Sequence, residues 1–401
     1  MQYQFFFFLL DKNPNRNKVT TKLLISFVWL IVLSTPHLFG QGVSISIQTI
    51  LDEGDEYIID RPQDASVNDQ GLIAIAEVRQ AKVLIFDKNG RFIREIGRRG
   101  NGPGEMQMVY HIELIRDRLL VFDFQLQRVS SFDVHTGKVI ATTTYKDLFG
   151  GWVPSNTTSF SFGNVDWVGV VVADLSVAPG KNTQMRFIAV SPELKVSESL
   201  SYSFDVGTML KNREEYSMSF YRPVSNYNLF LDSGRLMWAP YHFDGILFYN
   251  SKSKPEFGEI RITVPPGGVQ NKVFSNKSDQ DSYISGRNLI ASGGSSPSGP
   301  QNFVVARHSL QATPMGKSGQ ITYLYSEYSK EDDAYVVQYS TIDVNGAKEV
   351  GHGKAEIYFA GSKRQVFDLR KVFAVNKNGT ALVQYIENGE VRLAIATFSL
   401  K

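Results

Sequence analysis

From Ser44 onward the apolar positions come in short alternating or β-branched runs cut by turn residues, and almost no stretch keeps a helical period. That pattern predicts an all-β chain. Self-comparison then sets "LIAIAEVRQAKVLIFDKNG" (72–90) beside "RLLVFDFQLQRVSSFDVHTG" (118–137). Each shows an apolar strand, a short polar link, a second strand ending Phe-Asp and a glycine turn. Phe86-Asp87 and Phe132-Asp133 stand 46 residues apart. "RLMWAPYHFDGILFYNSKS" (235–253) repeats the form, with Ala76, Phe122 and Ala239 each seven residues before Val83, Val129 and Ile246. A repeat in the forties to fifties with four short strands per unit is the mark of a β-propeller.

Extending the repeat gives units near 53–97, 105–146, 150–205, 217–264, 300–354 and 363–400. The last offers only three clear strands, and "VSISIQTI" (Val43 to Ile50) is a strand without a unit. It is expected to supply the missing outer strand and close the ring, because a propeller leaves no long edge unpaired. The fold class is therefore all-β: a six-bladed β-propeller of four-stranded antiparallel blades, closed by an N-terminal strand. One segment falls outside the repeat. Residues 265–300, rich in Gly, Ser and Asn, are expected to form a long inserted loop.

"VLIFDKNGRFIREIGRRGNGPGE" followed by "LLVFDFQLQRVSSFDVHTGK" resembles the six-bladed, NHL-like or TolB-like propellers of bacterial envelope proteins, in which an I-G-x-x-G-x-G-P-G-E segment joins two blades. The likeness is specific over residues 70–145 and architectural beyond them. It implies a secreted or periplasmic propeller. Calcium-dependent lactonases resemble the same fold, and by that analogy the alternative is a metal-dependent hydrolase or lyase using Ca²⁺ in the central channel.

Composition adds limits. Lys plus Arg number 42 against 40 Asp plus Glu, so the net charge of +2 gives no general case for nucleic acid, and partner choice must be local. Lys12, Arg16, Lys18 and Lys22 precede the apolar "LLISFVWLIVL" (23–33), an order that reads as a signal peptide over residues 1–40. The run is short of the roughly 20 residues of a spanning helix. No transmembrane segment is expected in the mature chain, 41–401. The chain has no cysteine, which excludes disulfides, thiolate metal sites and a lipoprotein anchor. The mature chain is expected to be a periplasmic or secreted monomer.

"GRRGNGPGE" (97–105) has the glycine content of a phosphate loop, but the spacing is wrong. Gly100, Gly102 and Gly104 stand two apart, Pro103 removes a donor, and the following "MQMVYHIEL" reads as a strand rather than a helix. The glycines are expected to be positive-φ positions in a link between blades. Tight turns, "NDQG" (68–71), "DKNG" (87–90), "HTG" (135–137), "LDSG" (231–234) and "NKNG" (376–379), fall on one face. The longer second-to-third loops and blade crossovers fall on the other, where function is expected.

On that loop-rich face Arg98, Arg99 and Asn101 are candidates for holding an anionic group, since paired guanidinium forks fit carboxylate and phosphate. Tyr221, Arg222, Tyr241 and His242 join them as aromatic and cationic groups near predicted loop ends. His111 is the histidine of most interest, because a first strand faces the axis. No histidine has the spacing of a zinc site and no G-x-S-x-G elbow occurs. No residue set compels an enzymatic reading, and no cofactor is called for. The sequence points to a binding module whose crossover face takes a glycan, a peptide or an envelope protein.

Overall fold

The computed structural model describes residues 42–51, 54, 56–173, 184–205, 228–232, 235–239, 245–250, 256–263, 272–287, 289–296, 299–305, 307–313, 319–364 and 367–401. Six sheets follow one another around an axis. Blade I is Pro62–Val67, Ile73–Glu77, Lys82–Phe86 and Phe92–Ile96; blade II is Val109–Ile115, Arg118–Asp123, Arg128–Asp133 and Val139–Thr144. Blade III is Val153–Phe162, Val165–Ala173, Gln184–Val190 and Val196–Asp205; blade IV is Asn228–Asp232, Arg235–Ala239, Gly245–Asn250 and Glu256–Arg261. Blade V is Arg307–Thr313, Gln320–Ser329, Ala334–Asp343 and Lys348–Lys354. All are antiparallel, with the first strand of each touching the first strand of the next. The chain is a six-bladed β-propeller.

Blade VI takes Asp368–Val375, Thr380–Glu387 and Glu390–Leu400 from the end of the chain and Val43–Ile50 from its beginning. The N-terminal strand runs antiparallel to the C-terminal one, Val43 opposite Leu400 and Ile47 opposite Ala396. The expected closure is present. It is not the end of the sheet, however, because Glu356–Phe359 pairs parallel with the closing strand and forms a hairpin with Ser362–Arg364. The exposed edge is thereby a three-residue strand bearing Lys363 and Arg364, a device that discourages further pairing. Glu356 ties the two ends together: Lys363 and Lys401 both donate to its carboxylate, and the Lys401 amide donates to the Gly42 carbonyl at 2.7 Å.

Each middle strand is apolar on both sides because blades pack face to face. In blade I, Ile73 and Ile75 enter the core shared with blade VI, whereas Ala74 and Ala76 enter the core shared with blade II. The same partition gives cores between blades II and III, III and IV, IV and V, and V and VI. The closing strand places Val43, Ile45 and Ile47 in the last of these.

The segment 265–300 departs from a plain loop. Its described part contains a short strand, Lys272–Phe274, a helix, Lys277–Ile284, and a strand, Ile290–Ser296, which pairs with Gly299–Val305. Phe274 and Leu289 pack on Tyr328 and Tyr335 of blade V. Alternation in "LIASGGSSPSGPQNFVV" is masked by small residues, which is why the hairpin was not legible. Residues 1–40, read as a signal peptide, lie outside the described residues.

Deleting residues 43–50 is expected to lower the melting temperature sharply and broaden the transition. Ile45→Ala, at a fully buried position, is expected to cost about 2–5 kcal/mol. Thermal and urea melts check both, and an unchanged melt for the deletion refutes the closure.

Candidate functional site

The crossover from blade I to blade II is a folded loop held from beneath by one arginine. Arg128, first residue of a blade II strand, donates to the carbonyls of Asn101 at 2.9 Å, Gly102 at 2.8 Å and Glu105. Glu105 turns back into the loop, accepting from the Gly102 amide at 2.8 Å and from Arg98 Nε at 3.0 Å. These donors hold its carboxyl below the usual range, the Gly102 amide most strongly and Arg98 next. Two of the loop glycines, Gly97 and Gly104, have positive φ, as expected. Gly100 does not: a Cβ there would lie 2.1 Å from the Glu105 carboxylate, so its role is clearance.

With its carbonyls occupied by Arg128, the loop carries its two arginines at the surface, where Arg98 pairs with Glu105 at 2.9 Å. The Arg98 side chain is 81% exposed, and Arg99 reaches the Arg79 carbonyl at 2.6 Å. Arg79, in the second-to-third turn of blade I, is exposed and paired to Asp60 at 2.5 Å. Arg61, just before the first strand of blade I, is also exposed. It lies near enough to Tyr110 to oppose the upward push that burial gives the phenol. Four arginines thus stand on the crossover side of blades I and II. Asn101 is spent within the loop, accepting from Gln107 Nε2 at 3.0 Å. Of the sequence candidates, the structure brings Arg98, Arg99 and Asn101 together; Tyr221, Arg222, Tyr241 and His242 lie outside the described residues.

Two buried carboxylates at equivalent repeat positions fix this face. Glu77, opposite Pro62, accepts from the Arg61 and Arg79 amides at 2.6 and 3.0 Å. Asp123, opposite Val109, accepts from the Gln107, Met108 and Leu126 amides at 2.6, 3.2 and 2.9 Å. Each ties the crossover entering a blade to that blade's second-to-third turn. The spacing of 46 residues between them, the same as that of the Phe-Asp pairs, is the signal that the sequence carries for this role.

Around the axis the first strands have a free edge, and neighbouring blades satisfy it with side chains. Asp64, Ser66 and Asn68 of blade I accept from the Ile112 amide at 3.0 Å, accept from the Leu114 amide at 2.9 Å and donate to the Arg116 carbonyl at 2.9 Å. From blade VI, Lys371 and Asn376 donate to the carbonyls of Gln63 at 3.2 Å and Asn68 at 2.8 Å. Asp64 stands at the centre of this group, with His111 Nδ1 3.5 Å away. His111 does face the axial group, but its buried Nε2 has no hydrogen-bond partner among the described residues.

Glu113 is buried beside the hydroxyls of Ser66, Thr157 and Ser159, drawn from blades I and III. Burial pushes its carboxyl up to about 8, the charge of Asp64 adds to the rise, and the hydroxyls moderate it. Lys371 moves the other way from its ordinary value: burial lowers it, and Asp64 opposes. Among the described residues no group of three His, Asp or Glu side chains is placed to hold a metal ion. No helix among them is long and apolar enough to cross a membrane.

A family described as 6-bladed beta-propeller matches residues 49–228, from the closing strand through blade III. Similar solved structures include a candidate exported protein from Bacteroides fragilis NCTC 9343, at 9% identity over 90% of this chain and 95% of that one, TM-score 0.46. A member of the duf4221 family from Bacteroides vulgatus ATCC 8482 has 10% identity over 90% and 99%, TM-score 0.45. Virginiamycin B lyase from Staphylococcus aureus has 12% identity over 90% and 100%, TM-score 0.40. No curated protein matches.

Two predictions separate surface from scaffold. Arg98→Ala with Arg99→Ala is expected to change stability by about 0.5 kcal/mol or less, whereas Arg128→Ala, which strips three carbonyls of a charged donor, is expected to cost about 2–3 kcal/mol. Urea melts of the variants decide this. The second concerns pH. Because Glu113 keeps its proton in the fold to about 8, its stabilising contribution is complete below the ordinary carboxyl value of 4.5. It is then lost at about 1.4 kcal/mol per pH unit as pH rises towards 8. Glu113→Gln is expected to be markedly less sensitive than wild type between pH 5 and 8, measured by melts across that window; parallel curves would refute it.

Proposed function

We propose that the protein is a binding propeller of the NHL-like or TolB-like kind that meets an acidic partner on the crossover face of blades I and II. The observation that carries this reading is the geometry of residues 97–105. A loop whose carbonyls are taken up by Arg128 and whose carboxylate pairs with Arg98 holds Arg98 and Arg99 at the surface beside Arg61 and Arg79. Rigid presentation lowers the entropy cost of binding. Guanidinium groups so arranged suit the carboxylates of an acidic glycan, an acidic peptide segment or an envelope protein. The order of basic and apolar residues before Gln41 supports action outside the cytoplasm, in the periplasm or beyond.

The test is calorimetric titration with two anionic probes, hexagalacturonate and hexaglutamate, at low and physiological salt. At least one is expected to bind, more weakly as salt rises, and the Arg98→Ala, Arg99→Ala double variant is expected to lose about tenfold in affinity with an unchanged melting temperature, about 1.4 kcal/mol. If neither probe binds the wild type, the acidic-partner reading fails. Equal affinities for variant and wild type would remove the site from this loop.

A further inference from the structure

Blade VI shows how this molecule treats an outer strand that carries no charge. Its closing strand, "VSISIQTI", takes a further strand along the free edge: Ser44 to Ile47 pair with Glu356 to Phe359, and the edge that results bears Lys363 and Arg364. Four other outer strands end their sheets uncovered but charged: "FIREI" in blade I, "VSESLSYSFD" in blade III, "EFGEIR" in blade IV and "KEVGHGK" in blade V. Charge on an edge discourages further pairing. Blade II departs from both patterns. Its outer strand, Val139–Thr144 or "VIATTT", has no charge, is β-branched at five of six positions, and is paired on one side only among the described residues. Val139 and Ile140 are 36% and 48% exposed. A free row of N–H and C=O groups flanked by such side chains is a template for another strand.

We propose that this edge pairs with its own counterpart in a second copy of the chain, antiparallel about a two-fold axis, joining two copies of blade II into one sheet. An antiparallel pair of identical strands is self-complementary, so one unguarded edge is enough for a closed dimer. The register follows from the strand itself. Its pairing with Arg128–Asp133 shifts at Ile140, and a helix begins at Tyr145, which leaves Ala141 to Thr144 as the regular run. Pairing that run with itself sets Ala141 opposite Thr144 and Thr142 opposite Thr143, side chains suited to a cross-strand contact. The same register brings the Lys138 end of one copy to the Asp147 end of the other, twice. Both residues are exposed, and neither has an ion-pair partner in its own chain among the described residues. A parallel pair would instead set Lys138 against Lys138, which like charges oppose. The contact is short, so the dimer is weak and transient, and the monomer expected from the sequence is its dilute form. This edge is distinct from the arginines of the crossover loop, and its test does not depend on them.

Sedimentation velocity of the purified chain from about 1 to about 200 µM reads the association, which mass action makes dependent on concentration. The weight-average mass is expected to rise towards that of two chains. Thr142→Lys, which puts like charges in the middle of the ladder, is expected to weaken association about tenfold or more, with a nearly unchanged melting temperature because the position is exposed. Ser199→Lys, on the exposed side of the blade III outer strand, is expected to leave association as it is. Lys138→Glu is expected to weaken it, and Lys138→Glu combined with Asp147→Lys to restore it, which a merely structural effect would not do. A single-chain mass over the whole range would overturn the proposal and leave the edge to a different protein. An association that Thr142→Lys leaves unchanged, or that the charge swap does not restore, would overturn it as well. The wild-type measurement needs no variant and decides even if a substitution folds poorly.

Discussion

The pairing of Val43–Ile50 with Glu390–Leu400 is the constraint on which the rest depends. Six sheets packed face to face have no intrinsic reason to stop, and an open ring would leave two apolar faces in water. Closing the last blade with the first strand turns those faces into the sixth core and brings blades VI and I together. The axial group follows from it, because Lys371 reaches Gln63 and the neighbourhood of Asp64 only when the ring is complete. The polar contacts at the axis and the stability of the closure are therefore one problem for this chain.

Polar groups do two kinds of work here, and burial distinguishes them. At the crossover face, Glu77 and Asp123 accept two and three backbone amides each. Carboxylates held this way fix loops and leave other residues free to face solvent. Near the axis the donors are fewer and the neighbours include another carboxylate, so Glu113 keeps its proton and Lys371 gives one up more readily. A rigid outer face and a chemically unsettled interior thus arise from the same residue types in different surroundings.

The sequence alone determined the architecture to a large extent. Alternation around Phe86-Asp87 and Phe132-Asp133, repeated near Ile246, set the blade period, and three strands at one end with a spare one at the other required the closure. These features are local or periodic, and the pattern of apolar side chains expresses them directly. The same reading placed Arg98, Arg99 and Asn101 on one crossover loop and turned His111 towards the axis.

Tertiary structure decided what those residues do. Nothing in "GRRGNGPGE" shows that Arg128 holds its carbonyls, since those contacts join residues more than 20 positions apart, and the clearance that Gly100 gives Glu105 depends on how the loop folds back on itself. The hairpin within residues 272–305 was hidden by Gly and Ser, whose small side chains carry no alternation. The setting of Lys371 was the least visible, because a lysine in an ordinary strand becomes distinctive only when ring closure brings Gln63 and Asp64 from the far end of the chain. Period and polarity fix which strands form, and the choice of neighbours around a closed ring fixes which polar groups meet.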